Sequence, residues 1–139
     1  MTLVEHALRG AVLTAGASCR LPVGLPWYRS MPVSAVLGID LTIDGEAVPD
    51  LRLRVENRSI PVAELGRVED LAWFLQDRAG LDWPAPAPSG AAVDVVLRVR
   101  LQLPNLVGPG GTAVQVLQEV RGTVPVETTP GETAVEVAP

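Results

Sequence analysis

The sequence predicts an all-β fold, an antiparallel β-sandwich with little helix. Two stretches carry most of that prediction. Leu37, Ile39, Leu41 and Ile43 alternate with polar or small residues, and Val93, Val95, Leu97, Val99, Leu101 and Leu103 alternate against Asp94, Arg98, Arg100 and Gln102. A period of two puts each apolar set on one face of an extended strand. The third observation is punctuation, since 13 Pro and 13 Gly in 139 residues interrupt the chain too often for long helices.

Residues 1–13 read as an edge strand or an irregular arm. Ala17–Leu21 reads as a strand stopped by Pro22 and Pro26, and residues 22–34 as a loop rich in Pro and aromatics. Val36–Ile43 is the clearest strand. Asp44-Gly45 behind it is a hairpin signal, because both residues tolerate positive φ. Leu51, Leu53 and Val55 alternate with Arg52, Arg54 and Glu56, a half-buried strand with a charged outer face, and Asn57-Arg58 reads as the next turn. Between Val62 and Leu75 the spacing of Val68, Leu71 and Leu75 fits a helical stripe, while Trp73-Phe74-Leu75 fits a buried strand. The preferred reading is one helical turn near Val62–Leu65 and an extended segment around Trp73. Trp83 to Pro88 is a stiff Pro-rich connector between two strand-rich halves. After the long strand at 93–103, Gly108-Pro-Gly-Gly111 reads as a turn, and Val114, Val116 and Val120 mark the last strand, with Leu117 out of step. Residues 1–124 are therefore expected to form one sandwich domain. Residues 125–139, with three acids and no base, read as a loose acidic tail.

A net charge of −5 argues against a nucleic-acid partner, whose phosphates demand a basic surface. All eleven cations are Arg, which is simplest read as codon composition. Cys19 is the only cysteine, so no internal disulfide forms, and its apolar neighbours make it a buried structural thiol rather than a nucleophile. No apolar run reaches membrane-spanning length and the N-terminus has no basic leader, so a cytoplasmic protein is expected.

The inventory for chemistry is thin. His6 is the only histidine, and a Ser-His-Asp arrangement would have to recruit it from the end of the chain. Asp40, Asp44, Glu46 and Asp50 cluster around one hairpin, but Asp44 and Asp50 are explained as turn formers and the rest as solvated charges. The Gly108–Gly111 run lacks the Lys and Ser or Thr of a phosphate-cradling loop. No catalytic residue and no metal ligand set are assigned. Trp27-Tyr28-Arg29 is different: in a chain with three Trp, one Tyr and one Phe, two aromatics sit beside a cation in a Pro-rich loop. Such residues dominate binding hot spots, and the same loop would also serve as a cap on the core. Trp73 and Trp83 read as core or core edge. On its residues alone the chain is a small acidic sandwich that binds something, including the alternative of a free-standing carbohydrate- or protein-binding module.

Arg20-Leu-Pro, Pro26-Trp-Tyr-Arg29, Pro32, Ser34, Ile39-Asp-Leu-Thr-Ile-Asp-Gly-Glu46 and Val48-Pro49 together resemble the signature region of the β subunit of bacterial C-glycoside deglycosidases. A looser likeness runs through Trp73-Phe74, Asp77, Leu81 and Val93–Leu103. The resemblance implies a heteromer with a larger α subunit, a TIM-barrel protein that binds a divalent metal, commonly manganese. The pair would cleave the carbon–carbon bond between a 3-oxo-sugar and an aromatic, flavonoid-like aglycone by elimination, with metal and general base on the α subunit. It implies no cofactor in this chain. Arg20, Trp27, Tyr28 and Arg29 become the expected partner interface or pocket wall.

Overall fold

Asp44 and Gly45 take φ values of 50° and 85° and join β4 (Val36–Ile43) to β5 (Glu46–Ala47) as the expected two-residue hairpin. Glu56 and Asn57, at 49° and 67°, make the same kind of turn between β6 (Arg52–Val55) and β7 (Arg58–Pro61). The sequence reading put that turn one residue later. Arg58 is instead drawn into the ladder opposite Val55. The computed structural model describes residues 7–16, 18–27, 30–73, 78–84, 90–107, 109–111 and 113–128. His6, Tyr28, Arg29, Phe74, Asp77, most of the Trp83–Pro88 connector and residues 129–139 lie outside them.

The remaining strands are β1 (Leu13–Ala15), β2 (Ser18–Gly24), β3 (Met31–Pro32), β8 (Ala72–Trp73), β9 (Arg78–Pro84), β10 (Ala92–Val107) and β11 (Ala113–Thr128). Nine of the eleven described strands form one curled sheet in the order β5-β4-β10-β11-β1-β2-β9-β6-β7. The all-β expectation holds, with short 3-10 turns as the only helix among the described residues. The sheet differs from the expected sandwich in being continuous and mixed. β1 runs parallel to the end of β11, with Leu13 opposite Val126 and Ala15 opposite Thr128, and joins the two halves. β11 accordingly extends through Thr128, so residues 125–128 are paired strand rather than tail.

The core fills the inside of the curl. Val93, Val95, Leu97, Val99, Leu101 and Leu103 of β10 are buried, as are Ile39 and Leu41 of β4. From the other half come Cys19, Leu21 and Val23 of β2, Leu53 of β6, and Ala79, Leu81 and Trp83 of β9. The period of two thus decides which residues meet. Val62–Arg67 is a 3-10 turn and Ala72–Trp73 a short strand on Met31–Pro32, as the preferred reading of that region expects. Both pack into the same cluster through Leu65 and Trp73.

Pro22 does not stop β2, which continues to Gly24. The N–H of Gly24 donates to the Ala7 carbonyl, on the side away from β9. Alternation points the Pro22 nitrogen to that same side, where β1 has already ended. No ladder hydrogen bond is lost.

Candidate functional site

Arg20 stands on the outer face of β2, opposite Asp82 of β9, and Asp82 in turn faces Arg52 of β6. The inward neighbours Leu81 and Trp83 belong to the core, so alternation turns Asp82 outward between two Arg-bearing strands. Arg20 donates from Nε to Asp82 Oδ1 at 2.8 Å and from Nη2 to Oδ2 at 3.4 Å. Arg54, two residues further along β6 and opposite Gly80, donates from Nε to Oδ2 at 3.1 Å. Arg52 turns the other way and holds Ser59 through its hydroxyl at 2.8 Å and its carbonyl at 2.9 Å.

Asp82 is the only buried charged residue among those described. Its side chain is 11% exposed, whereas those of Arg20 and Arg54 are 50% and 39% exposed. The carboxylate is thus a fixed post under two guanidinium groups that still reach solvent. Gly80 lies beneath them: a Cβ there would sit in ordinary van der Waals contact, 3.6 Å from Arg20 Cδ and Asp82 Oδ1 and 3.7 Å from Arg54 Cβ. Arg78 shares this outer face and donates to the carbonyls of Ala7 and Arg9, tying the N-terminal arm to β9. Burial, and then the like charge of Arg9, lower its pKa from the ordinary arginine value. Four arginines and one aspartate therefore share one sheet face in a chain whose net charge is −5. Chemically, such a face can hold carboxylate or other anionic groups through charge-assisted hydrogen bonds.

Of the four residues singled out from sequence, Arg20 joins this cluster. Trp27 is half-buried and packs against the core, with its backbone N–H donating to the Leu25 carbonyl at 2.8 Å. The cap reading of that loop therefore applies at least to Trp27. Tyr28 and Arg29 lie outside the described residues. Asp82 and Arg54 were missed. The available signal was an acid between Leu81 and Trp83 facing the alternating arginines of β6.

Elsewhere, Asp44 and Asp50 are turn residues with positive φ, as expected. Cys19 is fully buried, and burial raises its thiol pKa. Among the described residues, no group of three or more His, Cys, Asp and Glu side chains could hold a metal ion. Nor is any helix among them long and apolar enough to cross a membrane.

No protein-family model matches the chain. Three relatives do. A C-glycoside deglycosidase beta subunit of Microbacterium trichothecenolyticum is 32% identical over 101 residues, covering 71% of this chain and 77% of the relative. One of the same name from Arthrobacter globiformis is 32% identical over 108 residues, or 76% and 80% of the two chains. A 3'-dehydrocarminate deglycosidase beta subunit of a Microbacterium species is 31% identical over 86 residues, covering 60% and 65%. With matches of this extent, the chain belongs to the C-glycoside deglycosidase β-subunit family.

Proposed function

We propose that this chain is the non-catalytic β subunit of a heteromeric C-glycoside deglycosidase. The reaction is cleavage of the carbon–carbon bond between a 3-oxo-sugar and an aromatic aglycone by elimination. The general base and the divalent metal belong to the larger α subunit, a barrel protein, and the metal's contribution there is to stabilise developing enolate charge. The observation that carries this reading is the match, over roughly three quarters of the chain, to relatives that are named β subunits.

This chain's own residues support a scaffolding part. Asp82, the one buried acid among the described residues, is engaged by two arginines. The Arg20 face and the loop beginning at Trp27 form the contact with the α subunit or the wall of its pocket. Arginine and tryptophan are suited to this, since both bury large area while keeping polar donors.

Co-expression with a barrel-type α subunit of the family tests the proposal. A stoichiometric complex should co-purify and cleave a 3-oxo-C-glucoside, with neither chain active alone. A chain that ignores that barrel protein, or turns over substrate unaided, sinks the reading. Arg20→Ala should weaken co-purification more than it lowers thermal stability.

A further inference from the structure

β11 presents an edge that its neighbours only partly cover. Val126 donates its N–H to the Ala91 carbonyl at 2.8 Å, toward the β10 side. The β10–β11 register runs without a shift from Ala92 opposite Pro125 to Leu103 opposite Val114. Even-numbered residues of β11 thus direct their backbone groups to β10, and odd-numbered ones direct theirs to the other edge.

That edge is closed toward the end of the strand. Thr14 of β1 lies opposite Glu127, Pro125 has no N–H to offer, and Leu8 lies beside Gly122, its Cδ1 3.6 Å from where a Cβ would stand. From Gln115 to Glu119, no strand among the described residues pairs with it. The segment also lacks the Lys or Pro with which exposed edges are usually blunted. At its centre Leu117 breaks the polar outer face formed by Gln115, Glu119, Arg121 and Thr123, and it is 56% exposed.

We propose that this edge, centred on Leu117, pairs with the same edge of a second copy of the chain. The pairing is antiparallel, across a two-fold axis. The register is self-complementary. Leu117 would meet Leu117, each exchanging N–H and C=O with the other, and both side chains would leave water. Gln115 would face Glu119, an amide donor opposite a carboxylate, on both sides of the axis. No like charges oppose one another. An edge of about five residues a side buries less than a standard interface of about 1,600 Å², so the dimer is weak and concentration-dependent. It leaves the Arg20 face on β2 free.

Sedimentation equilibrium of the full chain over a wide concentration range tests this. The mass should rise from 14.7 kDa toward twice that value. Leu117→Lys should raise the dissociation constant at least tenfold while leaving the unfolding midpoint of the dilute chain unchanged. Leu117→Cys should oxidise to a covalent dimer, since the Cα separation of about 5.5 Å in such a pair suits a disulfide, whereas Thr123→Cys should not. A chain that stays monomeric throughout, a dimer that survives Leu117→Lys, or equal cross-linking at both cysteines overturns the proposal. The first outcome leaves the edge to a strand of some other protein.

Discussion

Asp44 and Asp94 hold each other twice. The Asp44 N–H donates to the Asp94 carbonyl at 2.8 Å, and the Asp94 N–H donates to Asp44 Oδ1 at 2.9 Å. The hairpin turn after β4 is thereby fastened to the start of β10, the strand that carries most of the core on that side.

Asp44→Ala should therefore remove a hydrogen-bond acceptor and at the same time place a residue less tolerant of φ 50° in the turn. A loss of about 1–2 kcal/mol is expected from denaturant unfolding. Asp44→Asn keeps both an acceptor and tolerance of that conformation, and should lose less than half as much. Equal losses for the two variants would show that the side-chain acceptor does not matter.

Asp82 should matter more to stability than either arginine it holds. Asp82→Ala leaves two guanidinium groups side by side without their carboxylate, and about 1–2 kcal/mol should be lost. Arg54→Ala leaves the Arg20 pair intact, and because Arg54 is more than a third exposed its loss should fall below about 1 kcal/mol. Urea midpoints of the two variants give the order directly. The reverse order would contradict the arrangement described.

Acid should destabilise the fold partly through Glu119 and Asp70. Hydrogen bonds from Arg98 at 2.7 Å and then from Arg121 at 2.9 Å hold the Glu119 pKa below its ordinary value. Asp70 is lowered first by its hydrogen bond from Arg58 and next by its own backbone N–H. A carboxylate whose pKa is lower in the folded state contributes stability that is complete above its unfolded pKa of about 4. That contribution is lost as pH falls through the lower folded value. Unfolding midpoints measured downward from neutral pH should hold level and then drop below about pH 4. The double variant Asp70→Asn, Glu119→Gln should show a shallower drop. An unchanged acid limb would remove these two groups from the account.

Trp73 is 1% exposed, and its Nε1 has no hydrogen-bond partner among the described residues. A buried unpaired N–H costs about 1–3 kcal/mol, which opposes the value of the ring's buried area. Trp73→Phe removes the orphan donor together with some packing volume, so its net effect on stability should lie within about 1 kcal/mol of zero. Trp73→Ala, which only empties the site, should lose about 3–5 kcal/mol. Calorimetry on the pair separates packing from the unpaired donor.

Sequence patterns made the strands around Ile39–Leu41 and Val93–Leu103 legible because each side chain reports its face locally. Asp44-Gly45 was legible for a similar reason, since two adjacent residues determine the turn. Asp82 was not, because its partners Arg20 and Arg54 are 62 and 28 residues away and meet it only through the pairing order β2-β9-β6. Pro22 looked like a terminator because its effect depends on which edge its nitrogen faces, and that is set by where β1 ends. β1 itself, at three residues, is too short to leave a pattern. Arg20 was reached through family likeness, which gave its importance but not its aspartate.

The parallel match of Leu13 with Val126 fastens segments separated by roughly 110 residues of chain. A seam of such high contact order is among the last to form and gains little from local propensity. On the ribosome, every pairing that does not involve β11 can be in place while this one still waits for Val126 to emerge. Until then the curl lies open along β1, and its apolar lining is exposed in the interval when a nascent chain is most prone to aggregate.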